Sequence, residues 1–195
     1  ARGITLSADG DTLFVADTNS GLKIVDIETP SDPSITATYS TNNAFDVELS
    51  GDNLFVADHS SGLKIIDVST PSNPSLIGSY DTTKALDVTL SANGDTAFVA
   101  DGSSGLRIID VSTPSNPTLI STFDTPGTAW GVNLSADEQT AYVADDTSGL
   151  QIINVSDSSF STASDTAQIV VSQSNDTPTG SVTISGTATQ NQQLT

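Results

Sequence analysis

Apolar and polar residues alternate in short runs along about the first 155 residues, and these runs recur in a fixed order. Residues 44–50 (AFDVELS) are typical, because apolar side chains fall at every second position and so predict a half-buried β-strand. A turn rich in Gly, Asp and Asn follows, and then a second apolar run that ends in the letters VAD. No stretch shows the 3.6-residue apolar period of a helix, so the pattern predicts an all-β chain.

One phrase, of which LFVADHSSGLKIID is an example, occurs four times, beginning at Leu13, Leu54, Ala97 and Ala141. The copies are about 42 residues apart, which is the length of one β-propeller blade. Each copy predicts four short strands: the alternating run, the FVAD run, the LKIID run and a closing run such as SLIGSY. Two prolines in each of the first three copies keep the last loop out of the sheet. We therefore predict four β-propeller blades, at residues 1–43, 44–84, 85–128 and 129–160.

The fourth copy lacks both prolines, and its closing run is reduced to SFSTAS. Terminal repeats of an array are commonly atypical, so we place the end of the array here. Beyond it the repeat signals disappear and Thr, Ser and Gln dominate. We predict a linker over residues 161–180 and the first strand of another module over 181–195. The chain begins on a strand without an initiator Met and stops within this module, so we expect it to be a segment of a longer protein.

The pattern VADxSSGLxIIDVSTPSNPxLIGSYDT closely resembles the LVIVD repeat, a blade-like unit of large secreted and surface proteins of bacteria and archaea. This resemblance implies a β-propeller and brings no catalytic residue with it. The final stretch, NDTPTGSVTISGTATQNQQLT, resembles the junction and first strand of the Ig-like or cadherin-like modules of large bacterial adhesins. Both resemblances imply an extracellular, cell-surface location.

Charge narrows the range of partners. The chain has 24 acidic and 5 basic residues, for a net charge of −19. Nucleic acid is excluded as a partner, because phosphate binding needs a basic footprint. No apolar run approaches the roughly 18 residues of a membrane span, so we expect no membrane insertion of this segment. The chain contains no cysteine, which leaves neither a disulfide nor a thiol site. Its negative charge suits a divalent cation.

Aspartates at strand ends are the calcium candidates. Four of them close the second strand of each repeat: Asp17, Asp58, Asp101 and Asp145. Calcium takes hard oxygen ligands, but an Asp at a strand end also accepts hydrogen bonds from turn amides, and the dense D-x-D-x-D-G spacing of a calcium loop is missing. Both interpretations stay open. Asn175 and Asp176 resemble the Asn-Asp pair of cadherin-like junctions, where calcium stiffens the joint.

The candidate ligand-binding residues are those that differ between copies while their surroundings stay constant. In the first strands these are Arg2, Phe45, Leu86 and Trp130, and two of them are followed by Asp46 and Asp87. The first strand of a blade lies nearest the propeller axis, so we expect these residues at the channel mouth, where aromatic faces suit sugar or peptide recognition. The alternative is a simple difference in core packing.

Two further features concern acid–base chemistry. Asp46 and Asp87 could face each other across the channel as paired carboxylates, although packing or turn bonding is the alternative role. His59 is the only histidine and has no equivalent in the other copies, so we expect an exposed loop residue.

No nucleophile and base pair is evident, because the chain lacks Cys, a second His and a G-x-S-x-G motif. We therefore predict that the protein is not an enzyme. The leading hypothesis is a ligand-binding or attachment module of a large surface adhesin, whose partner is a cell-surface or matrix glycan or protein and whose candidate cofactor is calcium. The alternatives are a structural subunit of an extracellular fibre or surface layer, assembled from further copies of the same protein, and a propeller hydrolase or lyase.

Overall fold

The structure, a computed structural model, describes residues 1–156. The predicted end of the fourth blade, the linker at 161–180, the calcium candidates Asn175 and Asp176 and the strand at 181–195 lie outside the described residues. Within residues 1–156, the regular structure is β-strand except for one turn of 3₁₀ helix, Asp146–Ser148.

Each repeat folds into its own antiparallel sheet with the strands in chain order. The first sheet contains β1 (Ile4–Leu6), β2 (Thr12–Ala16), β3 (Leu22–Asp26) and β4 (Ser34–Tyr39). The second contains β5 (Asp46–Ser50), β6 (Asn53–Ala57), β7 (Leu63–Asp67) and β8 (Ser75–Tyr80). The third contains β9 (Asp87–Leu90), β10 (Thr96–Ala100), β11 (Leu106–Asp110) and β12 (Thr118–Phe123). The fourth contains β13 (Gly131–Leu134), β14 (Thr140–Ala144) and β15 (Leu150–Asn154) within the described range. The predicted all-β fold of four repeated sheets is confirmed.

Both faces of a blade are apolar, and this follows from the repeated letters. In the second blade Phe55 pairs with Ile65, and both side chains lie on the face that packs against the third blade. Leu54 and Ile66, one position along each strand, lie on the opposite face and pack against the first blade. Because side chains alternate across a strand, one sheet supplies two apolar faces, and the core therefore lies between blades.

Glycines fix the loops that lead into the third strands. Gly62 has a φ of +72°, and a Cβ built there would lie 2.2 Å from the carbonyl oxygen of Tyr80. The loop before β7 thus packs directly on the end of β8, and only glycine fits both the backbone conformation and the space. In the turn between the first two strands of the fourth blade, Glu138 takes a φ of 56° without a glycine.

The innermost strands define the axis of the arrangement. β1, β5, β9 and β13 pack in sequence, each against the next. No packing of comparable extent joins β13 to β1 within residues 1–156. The four blades therefore form an open arc, with the first strand of each blade on the inside.

Candidate functional site

The four variable positions of the first strands lie at equivalent places in the four blades. The backbone N–H of each donates to the carbonyl of the alanine that ends the second strand of its own blade, at 2.8 to 2.9 Å: Arg2 to Ala16, Phe45 to Ala57, Leu86 to Ala100 and Trp130 to Ala144. These residues therefore stand at the same end of the inner strands. Leu86 is only 4% exposed and belongs to the core, whereas Trp130 is 43% exposed.

Aromatic rings and cations meet at this end of the inner strands. The Arg2 guanidinium lies 4.2 Å from the centre of the Phe45 ring. The Phe45 ring also stacks on the His59 ring, with the ring centres 5.1 Å apart. On the next blades, the Lys84 ammonium lies 5.4 Å from the centre of the Trp130 ring. We call these five residues, Arg2, Phe45, His59, Lys84 and Trp130, the inner-strand strip.

His59 joins the strip from the loop between β6 and β7 of the second blade. Its backbone N–H donates to the carbonyl of Ala85 at 3.0 Å, and it accepts from the amide of the same residue at 3.0 Å. Its φ is 48°, and the equivalent positions Thr18, Gly102 and Asp146 also have positive φ. Burial and the nearby Lys84 ammonium lower the pKa of the imidazole, so the ring is neutral at pH 7. His59 is thus a half-buried member of the strip rather than the exposed loop residue expected from sequence.

One residue further along the inner strands, two carboxyl groups meet. Asp46 Oδ2 accepts from the amide of Val88 at 3.2 Å, and Asp87 Oδ2 accepts from the amide of Val132 at 2.7 Å. Each carboxylate therefore reaches onto the inner strand of the next blade. Burial, followed by the hydrogen bond with Asp46, raises the pKa of Asp87 to about 7. The raised pKa of Asp87 is the direction expected for a buried carboxyl group held close to a second one.

Neighbouring residues shape this carboxyl pair. Gly3 occupies the equivalent position in the first blade, and a Cβ there would lie 2.2 Å from Asp46 Oδ1. The Asp46 carboxylate thus occupies the space that a side chain at position 3 would need. Burial, and then the negative charge of Asp46, raises the pKa of Glu48, which lies two residues further along β5. The pair sits in an acidic stretch of the inner surface.

The four aspartates that end the second strands have a different environment. Asp58, Asp101 and Asp145 are fully buried. Each carboxylate holds the segment that leads into the inner strand of its own blade. Asp58 accepts from the amides of Asn42 and Asn43 at 3.0 and 2.6 Å. Asp17 instead contacts the amino-terminal amine at 2.7 Å and is partly exposed.

The same arrangement recurs in the third and fourth blades. Asp101 accepts from the amides of Thr83 and Lys84 and from the Arg107 side chain. Asp145 accepts from the amide of Gly127 and the hydroxyl of Thr125. These contacts are the ones expected if an Asp at a strand end accepts hydrogen bonds from backbone amides of a turn. Residues 1–156 contain no group of three or more His, Cys, Asp or Glu side chains placed to hold a metal ion. Calcium binding stays a prediction.

Sequence reasoning missed two members of the site. Lys84 is one of only five cations and directly precedes the constant alanine of the third blade, a position held by Asn43 and Thr128 in the neighbouring repeats. Comparison of the copies at that position could have identified it. Glu48 could have been found because it lies two residues after Asp46 on β5, and side chains two residues apart lie on the same face of a strand.

The fold is shared with solved propellers. A periplasmic gluconolactonase of Pseudomonas aeruginosa matches with a TM-score of 0.67 and 17% identity, over 78% of this chain and 52% of that one. A putative 6-phosphogluconolactonase from Bacteroides uniformis matches with a TM-score of 0.65 and 12% identity, over 80% and 53%. The Cps50 (Swd1) β-propeller domain of Myceliophteria thermophila matches with a TM-score of 0.59 and 13% identity, over 78% and 53%. The chain thus spans about half the length of these structures.

The names of the first two structures contradict the prediction that the chain is not an enzyme, because both are lactonases. That prediction rested on the lack of a Cys, a second His and a G-x-S-x-G motif, and these absences do not exclude a pair of carboxyl groups. In a propeller, groups from different blades meet at the inner strands, as Asp46 and Asp87 do here. At 12% and 17% identity the likeness itself shows the fold alone.

Two further comparisons complete the description. No helix among the described residues has the length and apolar character needed to cross a membrane. The sequence matches no curated protein. The LVIVD repeat, in contrast, matches residues 2–41, 42–82, 84–125 and 126–164. This is most of the chain, and the protein belongs to the LVIVD-repeat family.

Proposed function

We propose that the inner-strand strip binds a ligand of the sugar or sugar-lactone class. The observation that carries this proposal is the exposed Trp130 ring with a lysine ammonium 5.4 Å from its centre. Sugar rings pack their C–H faces on aromatic side chains, and their hydroxyl groups take hydrogen bonds from charged groups at the ring edge. Phe45, with Arg2 over its ring, supplies a second platform of the same kind.

The charges at the site favour a neutral polyhydroxylated ligand. Arg2 and Lys84 supply donors, whereas Asp46 supplies acceptors one residue beyond Phe45. A strongly anionic ligand would meet the carboxyl pair and the net charge of −19, and a cationic one would meet the two basic groups. The name of the periplasmic gluconolactonase supports the same ligand class.

Trp130 provides a direct assay, because it is the only tryptophan of the chain. Its emission should change on titration with glucono-1,5-lactone or neutral oligosaccharides. Phe45→Ala should weaken the binding about tenfold, the equivalent of about 1.4 kcal/mol. Leu119→Ala is the control, since it removes an apolar side chain from an outer strand, where Leu119 is 43% exposed. Unchanged Trp130 emission at millimolar concentration of every ligand would contradict the proposal.

A second candidate function is hydrolysis of a sugar lactone, and the Asp46–Asp87 pair favours it. Asp87, with a pKa raised to about 7, lies beside the carboxyl group of Asp46, so the pair is placed to supply a base and an acid near neutral pH. The base takes a proton from water, whose oxygen attacks the lactone carbonyl. The ring C–O bond then breaks, and the ring oxygen takes a proton to give the open hydroxy acid.

Acid release in a pH-stat measures this reaction directly. Asp87→Asn should lower the rate about 10²-fold or more, the usual range for loss of a general acid or base. Asp110→Asn is the control, since Asp110 lies at the end of a third strand, where its carboxylate accepts from Ser112. A rate no faster than that of buffer alone would remove the hydrolytic proposal and leave the binding proposal standing.

Sugar binding by this strip would also support attachment of a secreted or surface protein to glycans, the role suggested by the sequence. Immobilised protein should then retain glycan-coated beads. Trp130→Ala should abolish retention if the strip is responsible, and equal retention by the variant would assign attachment to another part of the chain.

A further inference from the structure

The three lysines of the chain differ in what their ammonium groups contact. Lys23 donates to a hydroxyl group and Lys64 to a backbone carbonyl, each at 3.3 Å. Among residues 1–156, no hydrogen bond or ion pair engages the ammonium of Lys84, although the chain carries a net charge of −19. This ammonium lies over the Trp130 ring instead. A lysine in the middle of the inner-strand strip thus keeps its hydrogen-bond donors available to a ligand.

Gly102 of the third blade makes room for the side chain of Lys84. A Cβ built at Gly102 would lie 3.1 Å from both Cβ and Cδ of Lys84. The other copies carry residues with side chains at this position: Thr18, His59 and Asp146. Because Gly102 has no side chain, the aliphatic stem of Lys84 can pack across the loop and bring the ammonium to Trp130.

The backbone of Lys84 is held in place by the same loop. The fully buried Asp101 carboxylate accepts from the amides of Thr83 and Lys84, and its third contact is with Arg107 Nε. The other copies have no arginine at the position of Arg107; they carry Lys23, Lys64 and Gln151. Since the backbone is fixed, a side chain added at position 102 would have to displace the stem of Lys84.

The Lys84 ammonium acts on two aromatic members of the strip. It lies 5.4 Å from the centre of the Trp130 ring, and its charge is the largest cause after burial that lowers the pKa of His59. A ligand packed on Trp130 therefore meets a group with three donors and no acceptor. A carbonyl oxygen only accepts hydrogen bonds, whereas a sugar hydroxyl also needs an acceptor for its own proton. The ammonium thus suits a carbonyl at the edge of the ligand ring better than a hydroxyl.

We propose that Lys84 determines the specificity of the strip by donating to the carbonyl oxygen of a sugar lactone packed on Trp130. Gly102 is a positioning residue, because it lets the Lys84 stem reach the ring. This inference rests on the proposed function, since it names the member of the sugar and sugar-lactone class that the strip selects. Glucono-1,5-lactone and glucose are the discriminating pair. They share a six-membered ring and differ at C1, which carries a carbonyl in the lactone and a hydroxyl in the sugar.

Isothermal titration calorimetry of the full chain measures both affinities. The unmodified chain should bind freshly dissolved glucono-1,5-lactone about tenfold more tightly than glucose, the size of effect expected of one hydrogen bond from a charged donor. Lys84→Met should reduce the affinity for the lactone to that for glucose and leave the affinity for glucose unchanged. Lys84→Arg keeps a charged donor and should retain part of the preference. Lys23→Met is the matched control, since it removes a lysine ammonium outside the strip, and it should change neither affinity.

A double-mutant cycle tests the positioning role of Gly102. Gly102→Thr introduces the residue of the first blade, where Thr18 also has a positive φ, so the loop conformation accepts it. The new side chain should displace the Lys84 stem and remove the lactone preference. In the Lys84→Met chain, the same substitution should leave both affinities unchanged, whereas a merely structural disturbance of the strip would lower both.

The possible failures are distinguishable. An unchanged ratio of the two affinities in Lys84→Met would overturn the inference, and so would equal losses for the lactone and for glucose. Either result would leave sugar binding by the strip intact. If neither compound bound to the unmodified chain, by heat or by Trp130 emission, the result would count against the proposed function as well as the inference.

Discussion

Removal of the Asp58 carboxylate should destabilise the protein strongly, and the same change at Asp17 should not. Asp58 is fully buried and accepts from two backbone amides, those of Asn42 and Asn43. In Asp58→Ala both N–H groups lose their acceptor at a partly buried position. A buried polar group without a partner costs about 1–3 kcal/mol, so two of them cost about 2–6 kcal/mol.

For a chain of this size, 1 kcal/mol corresponds to about 2–4 °C in the melting temperature. A midpoint loss of about 4 kcal/mol therefore predicts a melting temperature about 8–16 °C lower for Asp58→Ala. Asp17 occupies the same repeat position, but its side chain is 34% exposed and its contact is the amino-terminal amine. Exposed ion pairs contribute little, so Asp17→Ala should change the melting temperature only slightly.

Thermal and urea unfolding followed by circular dichroism measure both variants, with and without calcium. If the Asp58 carboxylate serves only to accept hydrogen bonds from the turn, Asp58→Ala should lower the melting temperature by the same amount with and without calcium. Equal effects of the two substitutions would refute the hydrogen-bond reasoning. A melting temperature that rises with millimolar calcium in the unmodified chain, and fails to rise in Asp58→Ala, would support the calcium interpretation instead.

Three further predictions follow from the core, a turn and the carboxyl pair. Phe55→Ala should lower the free energy of unfolding by about 3–5 kcal/mol in urea titrations, because the ring is 1% exposed, and a loss no greater than that of Tyr142→Ala would contradict the assignment of the core. Gly62→Ala should destabilise far more than Gly10→Ala, since both have positive φ but only at Gly62 would the new Cβ meet a carbonyl oxygen at 2.2 Å; similar melting temperatures would refute this. Burial and Asp46 raise the pKa of Asp87 from 3.8 to about 7, so this carboxyl group stays protonated to a higher pH in the folded chain than in the unfolded one. Its stabilising contribution is therefore present below pH 3.8 and lost as the pH rises through about 7, and Asp87→Asn should remove this loss in unfolding curves measured across that range.

The repeat made the architecture predictable because each blade repeats the same physical requirements. Alternating apolar letters specify a strand, and the glycine of the SGL loop is required where a side chain would strike the neighbouring strand, as at Gly62. The four sheets thus agree with the predicted repeats. The pattern could not show which side chains of neighbouring blades meet on the inner strands, because the order of the blades does not determine the angle between them.

The site was only partly predictable for a related reason. Variation between copies indicated Arg2, Phe45 and Trp130, which the structure places in the strip, and it also indicated Leu86, which is buried in the core. Variation alone does not distinguish a ligand contact from a packing difference. His59 enters the strip through a ring contact with Phe45 of the adjoining inner strand, and a single position in one repeat carries no signal of such a contact.

Departures from the repeat create the chemistry of the inner surface. If the first blade carried Asp in place of Gly3, its side chain would collide with the Asp46 carboxylate, whose oxygen lies 2.2 Å from the place a Cβ would take. The first three blades carry Gly3, Asp46 and Asp87 at this position and so hold one close pair of carboxyl groups. An Asp in all three blades would bring a third negative charge into the same space. A third charge would have to be neutralised or displaced, since carboxylates so close together cannot all ionise. The pair at Asp46 and Asp87 is thus a property of the asymmetric arc, and an active or binding site in this family of repeats is best sought where one blade breaks the pattern of its neighbours.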